Sequence, residues 1–281
     1  MPDTIASAVG RSMTLRVLTL NVWNTDGAPE RQELLRTGIA ELDPDLISLQ
    51  EVVRTDDYDQ LDWLLGDSGL HAVHQLDLID APSWGGTALA SRWAPTRTVG
   101  TLLPGKVVGA CTIAAVIPLP IGVDLLFHAV KPSAQFDHEA DRCRQALAIT
   151  ALDEQLRGPA PSIIAGDFDA TPDADCMRFY TGRGVLDGRS VHFRDAWEQA
   201  GDGGPGHTWT SDNPGVAATT ALGWIQIPHR RRIDHILVGG PFAHPDVDAR
   251  IVRCDVVLTD PPASDHYGVL AEIELVVQPP R

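Results

Sequence analysis

Eight short apolar runs constrain the fold of this 281-residue chain more than any other feature of its sequence. Each is bounded by turn residues or polar segments, and most are rich in β-branched residues, which predicts strands. None approaches the roughly 18 apolar residues that a membrane-spanning helix requires, so no membrane span is expected. The runs are LRVLTLNVW (15–23), DLISLQEV (45–52), TALAS (87–91), GACTIAAVIPL (109–119), VDLLFHAV (123–130), SIIAGDF (162–168), RIDHILV (232–238) and YGVLAEIELVV (267–277).

Helical patterns lie between these strands at 30–42, 58–69 and 138–156. In the third, apolar residues recur at intervals of three and four, as on one face of an amphipathic helix. No Ser/Gly-rich or charged linker divides the chain, so one domain over residues 13–281 is expected, with two packed sheets covered by helices. Residues 1–12 are expected to form a disordered N-terminal extension.

The formal net charge of −16 limits the classes of partner. A protein that holds extended duplex nucleic acid by its phosphates needs a basic surface, so duplex binding is disfavoured, although a local basic pocket is not excluded. The N-terminus has neither the basic start nor the apolar centre of a secretory signal, and a cytoplasmic location is the default expectation. The four cysteines form no CxxC pair, which argues against a zinc knuckle.

Two carboxylates one residue apart, Asp167 and Asp169, follow the run that begins at Ser162. Alternate residues of an extended segment point to the same side, so both carboxylates face one way. At about 4 Å they repel by roughly 4 kcal/mol at an effective dielectric of 20. A divalent cation, a positive partner or a shared proton would relieve this repulsion. Ordinary turn chemistry, with Asp169 as a capping residue, is the alternative interpretation.

Polar residues stand at the ends of other apolar runs as well, and these ends are expected to converge at one end of the sheets. Carboxylates and amides suit a hard divalent cation such as Mg²⁺ or Mn²⁺, and a histidine fixed by a carboxylate suits proton transfer. His266 with Asp234 is the natural pair of the second kind. The residues in question are Asn21, Glu51, His128, Asp234, Asp265 and His266.

In this order the motifs resemble those of the endonuclease/exonuclease/phosphatase superfamily, which includes deoxyribonuclease I and the neutral sphingomyelinases. The resemblance spans residues 15–275. Single motifs such as SDH or QE are weak, whereas the ordered set is specific. The motifs are LNVWN with Asn21, DLISLQEV with Glu51, FHAVKP with His128, RCRQ at 142–145, GDFD with Asp167, RDAW at 194–197, HTWT at 207–210, RRIDHI with Asp234, and SDHYGV with Asp265 and His266.

The resemblance implies a four-layered α/β/β/α sandwich of two mixed sheets flanked by helices, in the α+β class. It also implies roles at the active site. Glu51 would be the principal Mg²⁺ or Mn²⁺ ligand, helped by Asn21 and Asp265. Asp167 would orient or deprotonate the attacking water, and His266, held by Asp234, would bind the phosphate and assist proton transfer, although their division of labour is open.

Four further residues are candidates for contact with the substrate, three of them by the same resemblance and Lys131 by its position. His128 would contact a phosphate oxygen and stabilise the charge that builds up there. Lys131 follows it closely enough to reach a phosphate. Arg142 belongs to the RxxQ motif near the active-site loop, and His207 lies in the GHTWT loop around the site.

One departure from the family pattern concerns Asp169, where the family usually has an asparagine that donates to the phosphate. An ionised Asp169 would repel a phosphate instead. Three accounts are open: a protonated Asp169 beside Asp167, a second bound cation, or a lost donor with a lower rate. A second departure is His235 in place of an aromatic residue, which is either a packed core residue or a second phosphate contact.

The sequence therefore predicts a Mg²⁺- or Mn²⁺-dependent phosphoesterase that hydrolyses a P–O bond of a phosphodiester or phosphomonoester. The acidity of the chain favours a small or lipid-headgroup substrate. A DNA or RNA nuclease is one alternative, and a catalytically impaired binding module of the same fold is another, favoured only by Asp169. Serine- and zinc-hydrolase motifs such as GxSxG and HExxH are absent from the sequence. The sequence does not indicate an oligomeric state.

Overall fold

Two mixed six-stranded sheets form the centre of the protein. The computed structural model describes residues 11–80, 85–106, 109–216 and 229–279. In the first sheet the strands lie in the order β13-β14-β1-β2-β4-β3, and in the second the order is β5-β6-β7-β8-β12-β9. The first contains β1 (Ser12–Asn21), β2 (Leu46–Val52), β3 (His71–His74), β4 (Gly86–Ser91), β13 (Val247–Val257) and β14 (Gly268–Val277). The second contains β5 (Arg97–Leu102), β6 (Cys111–Leu119), β7 (Val123–Lys131), β8 (Ile163–Asp167), β9 (Phe193–Asp195) and β12 (Asp234–Gly239).

Helices cover the outer faces of the two sheets, and a small ribbon of β10 (Trp209–Thr210) and β11 (Arg230–Arg231) stands apart from them. Short 3₁₀ turns occur at Gln75–Asp77 and Pro241–Ala243. Within the described residues, no helix is long and apolar enough to cross a bilayer. The α-helices of this part of the chain are α1 (Glu30–Leu42), α2 (Gln60–Leu65), α3 (Glu139–Leu156), α4 (Asp175–Tyr180) and α5 (Ala196–Ala200).

Three large apolar clusters fill the spaces between the four layers. The first joins the inner faces of the two sheets, with Leu15 and Phe127 among its fully buried side chains. The second packs α1 and α2 on the first sheet, and the third packs α3 and α4 on the second. The hydroxyl of Ser48 in β2 donates to the carbonyl of Ala165 in β8, at 2.8 Å, and ties the sheets together. The architecture is the predicted four-layered α/β/β/α sandwich, and this prediction is confirmed.

Two parallel strand pairs determine where the functional side chains meet. β1 and β2 are parallel and joined through α1, and β7 and β8 are parallel and joined through α3. The carboxyl ends of these four strands therefore lie at the same end of the sandwich. β12 and β14 run antiparallel to their neighbours, so their first residues lie at that end too. This topology explains why polar residues follow some runs and precede others.

The first strand begins next to the predicted boundary at the N-terminus. β1 begins at Ser12, inside the predicted extension of residues 1–12, because Ser12 pairs with Val276 of β14. Residues 1–10 lie outside the described residues, as do residues 217–228 of the Gly/Pro/Trp-rich segment 201–230. The division of the chain at residues 12 and 13 remains a prediction.

Candidate active site

A lysine lies between the two carboxylates at the end of β8. The ammonium of Lys131, the last residue of β7, donates to Asp167 Oδ2 at 2.5 Å and to Asp169 Oδ2 at 2.6 Å. The backbone N–H of Asp169 donates to Asp167 Oδ1 at 3.0 Å, which fixes the rotamer of Asp167. Lys131 is thus a positive partner of the two carboxylates, one of the three remedies for like charges at this position.

Asn21 and Glu51 join this group from the first sheet. The amide of Asn21 donates to Glu51 Oε1 at 2.9 Å and to Asp167 Oδ2 at 3.0 Å, so it connects the two sheets. The pairing of β2 with β4 is irregular between Leu49 and Val52, and Glu51 there has a φ of 60°. A positive φ is unusual for glutamate, and such residues cluster at functional sites. The irregularity turns the Glu51 carboxylate toward Lys131, at 3.8 Å.

His266 and Asp234 form a buried pair beside Asp167. His266 Nδ1 is 2.9 Å from Asp234 Oδ2, and its Nε2 is 3.8 Å from Asp167 Oδ2. Asp234 stands directly opposite Asp167 in the pairing of β12 with β8, which sets this proximity. The hydroxyl of Thr208 accepts the backbone N–H of Asp234 at 3.2 Å and holds the start of β12.

Asp265 is positioned by residues that the sequence did not single out. Ser264 donates its hydroxyl to the carbonyl of Asn21 at 2.7 Å and lies 3.4 Å from Asp265 Oδ1. The amide of Asn213 donates to the carbonyls of Ser264 and Asp265 at 2.9 and 3.1 Å. Ser264 is the first residue of the SDH motif, so the sequence carried a signal for it, whereas no local pattern marks Asn213.

Burial and neighbouring charges shift the pKa values of this cluster in opposite directions. Burial opposes ionisation of Asp167, but Lys131 and His266 outweigh it and hold the pKa of Asp167 well below its ordinary value. Burial also disfavours the charged imidazole of His266, yet Asp234 and Asp167 raise its pKa well above the ordinary value. Asp167 is therefore a carboxylate and His266 an imidazolium at neutral pH. Burial, reinforced by Asp167, raises the pKa of Asp169 to about 6.

The donor set fits a divalent cation. Burial raises the pKa of Asp265 to about 6, and Glu51 and Asp167 add to this shift while His266 opposes it. The carboxylates at the site outnumber the nearby cations, which are Lys131 and His266. Carboxylate oxygens are ligands that suit Mg²⁺ or Mn²⁺.

Asp167, Asp234 and His266 also form a metal-type group among the described residues, with ligand atoms within 4.8 Å of one another. The imidazole of His266 is already hydrogen-bonded to Asp234. The carboxylates of Glu51 and Asp265 and the amide oxygen of Asn21, which accepts the Trp23 N–H at 2.9 Å, are the other oxygen donors that could hold a cation.

His128 does not lie with these residues, contrary to the predicted phosphate contact. It is three residues before Lys131 in β7, and alternating side chains of a strand put the two on opposite faces. His128 is fully buried, and its Nε2 is 3.7 Å from Asp153 Oδ1 of α3, on the outer side of the sheet. Lys131 is the residue of β7 that reaches the acidic cluster.

Arg142 also has contacts other than the predicted substrate contact. Its guanidinium is buried and donates to the carbonyls of Ser133 and Gln135 at 2.9 and 2.8 Å, and to Glu139 Oε2 at 2.7 Å. Gln145, the last residue of the same RxxQ motif, accepts the Ser133 N–H at 3.0 Å. The motif therefore holds the loop after β7 in place.

Replacing Arg142 by Gln is expected to lower the free energy of unfolding by about 1–3 kcal/mol, because buried carbonyls lose their donors. Chemical denaturation measures the change. Arg144→Gln on the same helix, where the side chain is 56% exposed, is the matched control and should stay within about 0.5 kcal/mol of the wild type. A substrate-binding Arg142 would instead give an unchanged stability and a raised KM.

His207 lines a different cavity from the acidic cluster, together with residues such as Trp197, Glu198 and Arg230. Burial and the charge of Arg230 lower its pKa. Its neighbour Thr208 contacts the site through the backbone of Asp234. A contact between His207 and substrate remains a prediction.

The family to which this chain belongs follows from its sequence and agrees with this fold. The sequence model of the Endonuclease/Exonuclease/phosphatase family matches residues 18–266, and the chain is a member of that family. Members are usually hydrolases that act on phosphoesters. No curated protein matches the sequence.

Solved structures share the fold at low sequence identity. D. rerio TDP2, complexed with a single-strand DNA product, is 18% identical with a TM-score of 0.70, over 92% of this chain and 98% of that one. An endonuclease/exonuclease/phosphatase protein from Beutenbergia cavernae DSM 12333 is 23% identical with a TM-score of 0.67, over 94% and 72% of the two chains. One from Bacteroides vulgatus is 18% identical with a TM-score of 0.68, over 94% and 99%.

Proposed function

We propose that this protein is a divalent-metal-dependent phosphoesterase that hydrolyses a P–O bond of a small or headgroup-type phosphodiester or phosphomonoester. The observation that carries the proposal is the pairing of an ionised Asp167 with a protonated His266 at 3.8 Å, beside a surplus of carboxylates. Two titratable groups whose environments push their pKa values apart are suited to separate roles as base and acid.

Asp167 takes the role of orienting the attacking water and accepting its proton. Its low pKa makes it a hydrogen-bond acceptor at neutral pH, and Asn21, Lys131 and the Asp169 N–H hold it in position. His266 takes the complementary role, because an imidazolium can donate a hydrogen bond to a phosphoryl oxygen. Asp234 fixes the orientation of its ring.

Glu51 and Asp265, with Asn21, would hold a Mg²⁺ or Mn²⁺ ion. When bound, such an ion supplies positive charge to the phosphoryl oxygens as negative charge accumulates there. Lys131 neutralises part of the charge of Asp167 and Asp169. The ammonium of Lys131 therefore reduces the electrostatic repulsion between Asp169 and the phosphate of the substrate.

A nuclease is the second candidate. It is favoured by the likeness to D. rerio TDP2, which was crystallised with a single-strand DNA product. The net charge of −16 opposes extended backbone contacts and favours a small ester. A single-stranded end would need fewer phosphate contacts than a duplex and is the form of nucleic acid most compatible with this charge.

The proposal is tested with purified protein on bis-p-nitrophenyl phosphate, p-nitrophenyl phosphate, sphingomyelin and plasmid DNA. We expect hydrolysis of at least one of the small or lipid esters with Mg²⁺ or Mn²⁺, and loss of activity to the level of a protein-free blank with EDTA. Returning the metal in excess should restore the rate.

Each alternative has its own result in this screen. Cleavage of DNA without hydrolysis of the small esters would favour the nuclease. A folded protein that hydrolyses none of the four would favour the binding module. Activity that survives EDTA would contradict the metal dependence.

A further inference from the structure

A cavity of about 450 Å³ opens directly beside the acidic cluster. Asp169 and His266 form part of its wall, so it is continuous with the proposed phosphate site. Phe136, Trp209, Arg231 and Ile233 supply much of the remainder. Its volume is within the range of roughly 300–1,000 Å³ for small-molecule sites. A phosphoester bound at His266 would place one of its ester groups in this cavity.

Flat side chains dominate the wall of the cavity. The ring of Phe136 is 52% exposed, and the Arg231 guanidinium lies 4.6 Å from its centroid. His229 stacks on the same ring at 5.6 Å and 24°, and Trp209 lies 5.8 Å from His229. Phe136 therefore leaves apolar surface in the cavity that a ligand could cover.

Hydrogen bonds connect the segments that carry these flat side chains to the segments that carry the catalytic residues. Arg231 donates to the backbone carbonyl of Asp169 at 3.2 Å, and Arg142 donates to the carbonyls of Gln135 and Phe136 at 2.8 and 3.4 Å. The backbone that carries Phe136 is therefore held in place before any ligand binds. A ligand that contacts a preorganised surface loses less affinity to ordering of the protein.

We infer that the cavity binds a flat, unsaturated ring carried by the phosphoester substrate, either an aryl group or a nucleobase. The inference rests on the proposed function and narrows its substrate class. A flat ring makes close contact with aromatic and guanidinium planes along its whole face, whereas a puckered ring or an alkyl chain touches them at a few atoms. The bounded volume and the acidity of the chain favour one such ring over a polymer.

The test compares ligands that differ only in the ring. Calorimetry with Asp167→Asn in Mg²⁺, a variant chosen to suppress turnover, measures binding of AMP against ribose 5-phosphate and of phenyl phosphate against cyclohexyl phosphate. The flat member of at least one pair is expected to bind roughly 5- to 100-fold more tightly. A preference for AMP alone would identify a nucleoside ester, and equal preference in both pairs an aryl group of any kind. Equal binding within both pairs, or no binding of any of the four, would overturn the inference.

Phe136→Leu should bring these ratios to near one and raise KM for p-nitrophenyl phosphate more than it lowers kcat. Phe242→Leu is the control, because Phe242 is 96% exposed and lines other cavities. Ratios that survive in Phe136→Leu would count against the assignment. Calorimetry needs no turnover, so a ring preference without hydrolysis would refute the proposed function alone, and hydrolysis without a ring preference would refute this inference alone.

Discussion

Replacing His266 by Ala is expected to lower kcat/KM for the best phosphoester substrate by about 10²- to 10⁴-fold, the range for a positioned acid–base group. The variant removes the imidazolium that Asp234 holds and that lies 3.8 Å from Asp167. Steady-state kinetics at saturating Mg²⁺ measures the loss. A variant that keeps a tenth or more of wild-type activity, with an unchanged circular dichroism spectrum, would contradict the role given to His266.

Asp234→Asn is the companion variant. Asparagine has the shape of aspartate but no charge, so the ring of His266 keeps a neighbour while the charge that raises its pKa is removed. We expect a smaller loss of kcat/KM than in His266→Ala, together with a lower apparent pKa for the group that must be protonated. A pH–rate profile distinguishes this result from simple loss of structure, which would lower the rate equally at every pH.

The strands predicted from apolar runs are the eight interior strands of the two sheets. The four strands that form the sheet edges, β3, β5, β9 and β13, were not predicted. β13 shows why: its outward positions carry charged residues such as Asp248 and Arg250, and its pairing is irregular between Ile251 and Arg253. Interior strands are apolar on both faces, whereas edge strands carry charges that mask the signal.

The sequence predicted which residues meet at the candidate site when those residues stand at the ends of strands. It predicted less well which residues within a strand point toward the site. Asn21, Glu51, Asp167, Asp234 and His266 meet because the topology brings their strand ends together. His128 and Lys131 could not be told apart, since β7 is buried on both faces over most of its length and its sequence shows no alternation. Only the packing of α3 shows which face is which.

The sequence also did not predict that arginines on helices hold distant loops in place. Arg31 of α1 donates to the carbonyls of Val22 and Asn24 after β1, as Arg142 of α3 does for the loop after β7. These bonds involve backbone carbonyls, which every residue has. A charged residue on a helix is therefore indistinguishable in sequence from one that faces solvent.

A buried ion pair behind the site gives the largest expected effect on stability. Asp195 accepts a bond from Arg232 Nη1 at 2.6 Å and lies 3.1 Å from Nδ1 of His235, which resolves His235 as a packed residue. Its other oxygen caps α5 through the N–H of Trp197. Asp195→Asn keeps the shape but removes the nearer charge partner of the buried Arg232, which retains only Glu198 at 3.8 Å. We expect the free energy of unfolding to fall by about 3–5 kcal/mol in chemical denaturation at pH 7.

Asp212→Asn is the matched control, because Asp212 makes a two-pronged pair with Arg230 that is about 60% exposed. Exposed pairs contribute little to stability because solvent screens them, so we expect a much smaller loss than in Asp195→Asn. Equal losses in the two variants would show that burial of the Asp195 pair has no energetic consequence.

The difference in free energy of unfolding between wild type and Asp195→Asn should depend on pH. This dependence distinguishes the loss of a charge from a change in packing. Burial opposes ionisation of Asp195, but His235 and Arg232 outweigh it and hold its pKa below the ordinary value. A depressed pKa in the folded state stabilises the protein above the unfolded value of about 3.9, and this contribution is lost as the pH falls from there toward the folded value. The difference in free energy of unfolding between wild type and Asp195→Asn should therefore narrow as the pH falls below about 4. A gap independent of pH down to acid unfolding would mean that the asparagine disturbs packing, since only the loss of a charge responds to protonation of Asp195.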